Sequence, residues 1–375
     1  MKKNVKPFSV LVLEDKINLY VFVVHCLSQI KNIDIYILSN KEGCEIKYSR
    51  KIKNYSLYPK ASNEIEWLSN IDNEVDKHDI DIIMPVDEYE IETLIKYKDQ
   101  LKNRNKLVIL PNLENYYKAN DKGLLAEHLV KHQILTPKSI LIKAGEKFDG
   151  IKNLSFPILT KPTLGFSGGE GIFKFNNIED LNLHLNSKNL YYDILIEEYI
   201  EGYDIDCSVL CKKGKILAFT IQKGIVDNIS DFAPKVGLEF LFREDLFITV
   251  EKLMETLNWS GVAHLDMRYD ENDEKFKVIE INPRYWLTTE ASEIVGVNFP
   301  FLHCLASLNI DFETPRYKQI KYLNLKGLSK EVKANKWFLL KLKFIFCNTS
   351  IKYYLRDPLP LIYIMFNKIK SMLKN

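Results

Sequence analysis

No stretch of this sequence reaches the roughly eighteen consecutive apolar residues that a membrane-crossing helix needs, so no spanning segment is expected. The opening MKKNVKPFSVLVLED also lacks the marks of a secretory signal. Its apolar run Phe8–Leu13 is short, Glu14 and Asp15 follow at once, and no small-residue cleavage site comes after it. The cysteines Cys26, Cys44, Cys207, Cys211, Cys304 and Cys347 form no CxxC pair and no Cys/His metal spacing. Reduced thiols in a cytoplasmic protein are therefore expected. Where a dinucleotide fold carries GxGxxG after its first strand, this chain has Glu14-Asp15-Lys16, which argues against a nicotinamide cofactor. No internal repeat and no nucleic-acid-binding motif is present, so nucleic acid is not an expected partner.

What is there is a globular composition, 46% apolar and 27% charged. At 375 residues the chain exceeds what one compact core usually holds, so two or three subdomains are expected. The net charge of +2 hides an asymmetry: from Pro315 onward there are 14 Lys/Arg against 2 acidic residues, leaving the rest acidic. Residues 1–120 alternate short apolar runs (Phe8–Leu13, Asp34–Leu38, Asp81–Pro85, Leu107–Leu110) with helical patterns (Asn18–Gln29, Asn63–Lys77), a βαβ series that predicts a small doubly wound parallel sheet. Asp87 and Glu88 follow the third run, where such sheets bind ligands and where a helix N-cap would equally place them.

Three later stretches carry the chemistry. Asn120-Asp121-Lys122 opens a helix with a cationic first turn, which opposes the helix dipole and is better placed if the lysine reaches an anion. In FPILTKPTLGFSGGEGIFKF (Phe156–Phe175) a strand ends at Lys161-Pro162, and glycines 165, 168, 169 and 171 surround Ser167. Such a loop can line an anion site with backbone N–H groups, and it is not a Walker loop, lacking GK[ST] and a following helix. The third stretch, Gly261–Trp286, reads as a hairpin with a polar turn at Asp270–Lys275. Alternation puts His264, Asp266 and Arg268 on one face, with Glu280, Asn282 and Arg284, and Ala263, Leu265, Met267, Ile279 and Ile281 on the core face. A hard cation wants such carboxylate and amide oxygens, although a solvated hairpin face has the same pattern.

In order along the chain, Asp121-Lys122, Lys161-Pro162 with its glycine loop, Glu197-Glu198-Tyr199-Ile200-Glu201-Gly202, Asp266 and Glu280-Ile281-Asn282-Pro283-Arg284 resemble the ATP-grasp superfamily of carboxylate–amine ligases, including its carbamoyl-phosphate-synthase-like ATP-binding domains. The resemblance spans about residues 5–310. It implies a mixed α/β and α+β fold: a preATP-grasp doubly wound sheet over 1–115, then an ATP-grasp domain over 116–310. That domain would have a lid part near 135–200 and a larger part near 201–310, with a basic helical extension over 311–375. It further implies ATP and Mg²⁺, or Mn²⁺, as cofactors. Lys122 and Lys161 would bind phosphate, Ser167, Gly168 and Gly169 would form the lid, Glu197, Glu198, Tyr199 and Ile200 would meet adenine, and Asp204 the ribose. Asp266, Glu280 and Asn282 would ligate metal, and Arg284 would meet the transferring phosphoryl group. Relatives carry an arginine at the position of His264, so His264 or Arg268 would take over its work.

The reaction implied is phosphoryl transfer from ATP to a small-molecule carboxylate, then amine attack on the acylphosphate to form an amide. Carboxyphosphate chemistry and non-catalytic ATP binding are the alternatives. Lys223, Lys235 and Trp286 are candidates for substrate contact, and the oligomeric state is left open, a homodimer included. The basic, aromatic segments Lys336–Phe346 and Leu359–Lys370 suit either packing on the acidic body or peripheral contact with an anionic membrane.

Overall fold

The computed structural model describes residues 6–14, 18–146, 148, 150–151, 153–165, 168–186, 191–228 and 232–372. The chain divides into two compact units: Met1–Leu113 with Ser260–Val262 and Arg284–Asn375, and Glu114–Trp259 with Ala263–Pro283.

In the first unit β1 (Phe8–Leu13), β2 (Ile33–Ser39), β3 (Asn54–Leu57) and β4 (Ile82–Met84) form a parallel sheet in the order β3-β2-β1-β4. Val10, Leu11, Val12 and Leu13 are all buried, which is why β1 reads as an unbroken apolar run. The helix Glu64–His78 starts at Asn63, whose side chain accepts from the Glu66 N–H, and lays Leu68, Ile71 and Val75 against Leu11, Leu13 and Ile83. The expected strand at Leu107–Leu110 is reduced to a single bridge, Leu107 to Ile83. The sheet is completed instead by β3, NYSL, a sheet-edge strand too polar and too short to announce itself.

This unit also carries the residues beyond Pro283. Helices Thr289–Val295 and Phe299–Ser307 are almost wholly buried, and Glu290 pairs with His25 inside the unit. Part of the basic extension packs here too. Tyr353 stacks on His25 with ring centroids 5.1 Å apart, Lys352 pairs with Glu293 at 2.7 Å, and the Asp357 carboxylate accepts from the Ser49 hydroxyl and the Arg50 N–H.

The second unit holds two sheets. One is antiparallel, in the order β5 (Ser139–Ile142), β8 (Ile194–Glu198), β6 (Ile158–Pro162), β7 (Phe173–Phe175), and covers the helix Ile178–Asn186 through Leu181 and Leu185. The other contains β9 (Gly202–Lys212), β10 (Lys215–Val226), β11 (Gly237–Phe240), β12 (Gly261–Asp270) and β13 (Lys275–Asn282), ordered β13-β12-β9-β10-β11. The helix Glu244–Thr256 closes its core with Leu246, Val250 and Leu253. The β12–β13 hairpin pairs His264 with Asn282 and Asp266 with Glu280, then slips one residue so that Met267 meets Val278. The extra residue is Ile279. This bulge takes Ile279 out of the expected core face, and Val278, fully buried, replaces it.

Candidate active site

The alternation of β12 and β13 places Asp266, Glu280 and Asn282 together, as their spacing predicts. The Asn282 amide nitrogen lies 3.3 Å from Asp266 Oδ2 and 3.4 Å from Glu280 Oε1, so the three side chains form one cluster. Lys122 enters it from the first turn of the helix Lys122–Lys131. Asp121 caps that helix by accepting from the Leu124 N–H, and Lys122 Nζ sits 3.0 Å from Glu280 Oε2. Lys161 is almost fully buried in β6 and pairs with Glu197, its diagonal neighbour on β8. Burial alone would raise the Glu280 carboxyl, but Lys122, Asp266 and Lys161 outweigh it and hold Glu280 down at about 2. Burial likewise works against charge on Lys122, and Glu280, Asp266 and Glu197 override it and push that ammonium up.

His264 lies beside this cluster with both ring nitrogens engaged. Its Nδ1 is 2.9 Å from the Ser208 hydroxyl, and its Nε2 is 3.3 Å from Asp266 Oδ1 and 4.0 Å from Asp206 Oδ2. The Gln222 amide donates to Ser208 Oγ at 3.1 Å and accepts from Thr220 at 3.2 Å, so the imidazole is oriented by a buried chain of hydrogen bonds. Ligand atoms of Asp206, His264 and Asp266 lie within 4.8 Å of one another, close enough to share a cation. Burial and the neighbouring Asp204 push the Asp206 carboxyl well up, the response of an acid that lacks a full counter-charge. Asp206 shares a strand face of β9 with Asp204 and Ser208, and Gln222 and Thr220 lie on the neighbouring strand β10.

Arg268 shares the β12 face with His264 and Asp266 yet works elsewhere. Its guanidinium donates to Ile200 O at 2.6 Å, Gly202 O at 2.8 Å and the Tyr199 hydroxyl at 3.2 Å, and pairs with Asp204. It thus ties the segment 199–204 to the sheet. Asp204 also meets Lys235 at 3.0 Å. Lys235 reaches Asp227 as well, and Lys223 Nζ rests 3.4 Å from the Tyr203 ring centre. Glu198 accepts from the Ser155 N–H, and Tyr199 lies under Lys174, 3.5 Å from its ring centre. Gly202 has φ +144° and a Cβ there would stand 2.0 Å from Tyr269 O, so the turn admits glycine alone. In the glycine loop, Gly169 has φ +85° and packs so closely on Phe232 that a Cβ would fall 2.6 Å from it. Gly168 also has positive φ, whereas Ser167 lies outside the described residues.

In the first unit, Arg284 is beyond the end of β13, buried, and paired with Glu88 and with Asp87 at 3.6 Å. Burial, then the neighbouring Glu88, push the Asp87 carboxyl up to about 7. Glu88 feels burial too, but Asp87 and Arg284 together hold it below its usual value. Glu90 accepts from the Val86 and Asp87 N–H groups, so the start of this helix is capped from within. Trp286 is a core residue, edge-on to Phe299 at 5.0 Å.

Residues 119–289 match the family model of the ATP-grasp domain. Its sequence is 25% identical to the carbamoyl phosphate synthase large chain of Clostridium botulinum over 70% of this chain and 24% of that protein. It is 29% identical to the D-alanine–D-alanine ligase of Rickettsia felis over 48% of this chain and 60% of that one. The chain thus spans less than two thirds of the length of these curated relatives. Among solved structures, the N5-carboxyaminoimidazole synthetase of Staphylococcus aureus complexed with ADP matches with TM-score 0.68 and 16% identity, over 90% of this chain and 88% of that one. The L-amino acid ligase of Bacillus licheniformis matches with TM-score 0.61 and 16% identity, over 81% and 75%. The fold is similar to that of these solved structures; in this chain it comprises a parallel α/β sheet, two antiparallel sheets and a helical C-terminal segment.

Proposed function

We propose that the chain is an ATP-dependent carboxylate–amine ligase acting on small molecules in the cytoplasm. The observation that carries this reading is the pairing of Lys122, from a helix start, with Glu280 at 3.0 Å, while Lys161, buried in a strand and paired with Glu197, lies near enough to lower the same Glu280 carboxyl. Two lysines held in place by acids within an ATP-grasp domain suit an anion with several charges, which they would bind as the β- and γ-phosphates of ATP. Asp266, Glu280 and Asn282 offer only oxygen donors toward a cation, the donor set of Mg²⁺, and they fit it. A bound Mg²⁺ would neutralise phosphate charge as the phosphoryl group moves. The glycine loop around Gly168 and Gly169 is proposed to cover the phosphates with its N–H groups. The segment Glu198–Ile200 is proposed to meet the adenine edge and Asp204 the ribose, with Arg268 holding that segment in place.

The substrate carboxylate oxygen would attack the γ-phosphorus as the bond to the β-phosphate oxygen breaks, releasing ADP and forming an acylphosphate. The amine nitrogen would then attack the acyl carbon, inorganic phosphate would leave, and the nitrogen would lose its proton. Such transfer needs positioning and cations more than covalent help from the protein. His264 is proposed as a positioning group for Asp266, since its Nε2 faces that carboxylate while Nδ1 is held by Ser208. Arg284, two residues past Asn282 along the chain, is proposed for the transferring phosphoryl group. Its present partners are acids, so an arriving anion would compete with Asp87 and Glu88 for it.

A second reading, carboxyphosphate formation from bicarbonate, is favoured by the matches to a carbamoyl phosphate synthase chain and to N5-carboxyaminoimidazole synthetase. One experiment separates the two: phosphate release from Mg-ATP across a panel of acid and amine pairs, and with bicarbonate, followed by mass spectrometry for an amide. Amide together with phosphate, falling at least about 10²-fold in Glu280→Gln, supports ligation. Bicarbonate-dependent release without amide supports the second reading. ATP binding with no turnover anywhere would sink both.

A further inference from the structure

The basic extension splits into two parts that behave differently. Residues 349–357 are sewn into the first unit through Tyr353, Lys352 and Asp357, as described above. The helix that follows, Leu359–Met372, has no buried residue. Ile362, Met365, Phe366, Ile369 and Met372 recur at spacings of three and four, so they line one side of this helix, and each is between 55% and 76% exposed. Tyr363 lies off this stripe and rests on Tyr48, with ring centroids 4.4 Å apart. Lys368 and Lys370 are exposed and fall at the two edges of the stripe. A second patch, Trp337, Leu340 and Leu342, is between 59% and 76% exposed among Lys336, Lys341 and Lys343.

Soluble surfaces rarely leave large apolar side chains contiguous in this way, so the stripe calls for a cover. Charge identifies which one. From Val332 to Asn375 the chain holds nine Lys/Arg and a single acid, Asp357, which is buried against Ser49. A second copy of the same helix would set lysine edge against lysine edge with no carboxylate to answer them, and like charges at a helix interface repel. An anionic lipid surface answers both features at once: acyl chains accept the apolar stripe, headgroups accept the lysines, and tryptophan suits the boundary. The helix is too short to cross a bilayer, about 21 Å at 1.5 Å per residue against a core of about 30 Å, and none of the described helices is long and apolar enough to do so.

We propose that the terminal helix Leu359–Met372, together with the Trp337–Leu342 patch, seats the protein on the surface of an anionic lipid bilayer with the helix lying in the interfacial plane. This stands apart from the ligase reading, because none of these residues belongs to the proposed active site. The test is co-sedimentation of the full chain with vesicles of phosphatidylcholine alone and of phosphatidylcholine mixed with phosphatidylglycerol. The bound-to-free ratio is expected to rise at least about tenfold on the anionic vesicles and to fall again at high salt. Trp337 is the most exposed of the four tryptophans, so its emission is expected to shift to the blue on binding, and a Trp337→Phe variant is expected to lose that shift. The double variant Phe366→Glu/Ile369→Glu is expected to lose the anionic binding while keeping its circular dichroism and its phosphate release. Equal sedimentation on both vesicle types, or binding unchanged in the double variant, would overturn the proposal. A dimer in analytical ultracentrifugation that disappears in the double variant, without vesicle binding, would assign the stripe to a second copy instead.

Discussion

The polar face of the β12–β13 hairpin and the apolar stripe of Leu359–Met372 break the usual sorting of residues in opposite directions. On the hairpin, carboxylates, lysine and imidazole lie in a partly buried cluster and answer one another: Glu280 with Lys122, His264 with Asp266 and Ser208, Asn282 with two acids. On the terminal helix, the apolar stripe from Ile362 to Met372 faces outward, each of its side chains more than half exposed. The first departure is satisfied internally and the second is not. Buried charge that is already paired needs only a ligand able to exchange partners with it, such as a polyphosphate with its cation. An apolar stripe without cover needs an external surface. The difference separates the proposed chemical site from the proposed docking surface within one chain.

The comparison breaks most visibly at Lys161. Its pair with Glu197 is almost wholly shielded, so Lys161→Met is expected to leave a buried carboxylate unanswered and to lower stability by about 3–5 kcal/mol in urea titration. Replacing both partners, Lys161→Met with Glu197→Gln, is expected to recover most of that loss. A single variant as stable as the parent would show that the pair is not the internal match described here.

Arg268 sharpens the comparison on the functional side. Arg268→Met removes the ties to Ile200, Gly202, Tyr199 and Asp204 and is expected to raise KM for ATP about tenfold, equivalent to about 1.4 kcal/mol, with kcat altered less. A kcat loss without change in KM would move Arg268 from the nucleotide segment to the reacting groups.

The last comparison concerns Asp87. Its folded carboxyl titrates near 7 against about 3.9 in an unfolded chain, so between those values the folded state holds the additional proton. The stability this contributes is fully present below about pH 4 and is lost as pH rises toward 7. In thermal melts the parent is therefore expected to lose ground to Asp87→Asn across that window, and a difference that stays constant with pH would refute the assignment.

Where the order of residues alone was informative, local physics explains it. β1 is buried on both faces and so reads as an apolar run, and the β12–β13 hairpin is half wet and so alternates. β3 escaped notice because an edge strand with one buried side chain need not alternate. The bulge at Ile279 escaped notice because an added residue in one strand has no side-chain signature. Arg268 was placed on the correct face but its work was not legible, since its partners lie 64 to 69 residues earlier in the chain. Trp286 and Lys235, candidates for substrate contact by residue type, are engaged by Phe299 in the core and by Asp204 and Asp227.

Periodicity and spacing by themselves determined the α/β beginning, the glycine loop, the hairpin with its carboxylates and the basic tail, because each depends on residues near one another in sequence. Only the tertiary structure decided which charges answer which: that Glu280 receives Lys122, that Glu197 is spent on Lys161, and that Arg268 braces the segment 199–204. It also decided which part of the tail is covered, residues 349–357 and not 359–372, although both are basic and aromatic. The physical reason is common to all of these. Ion pairing and burial act over a few ångströms in space, and the pattern along a chain does not record which distant segments the fold brings within that range.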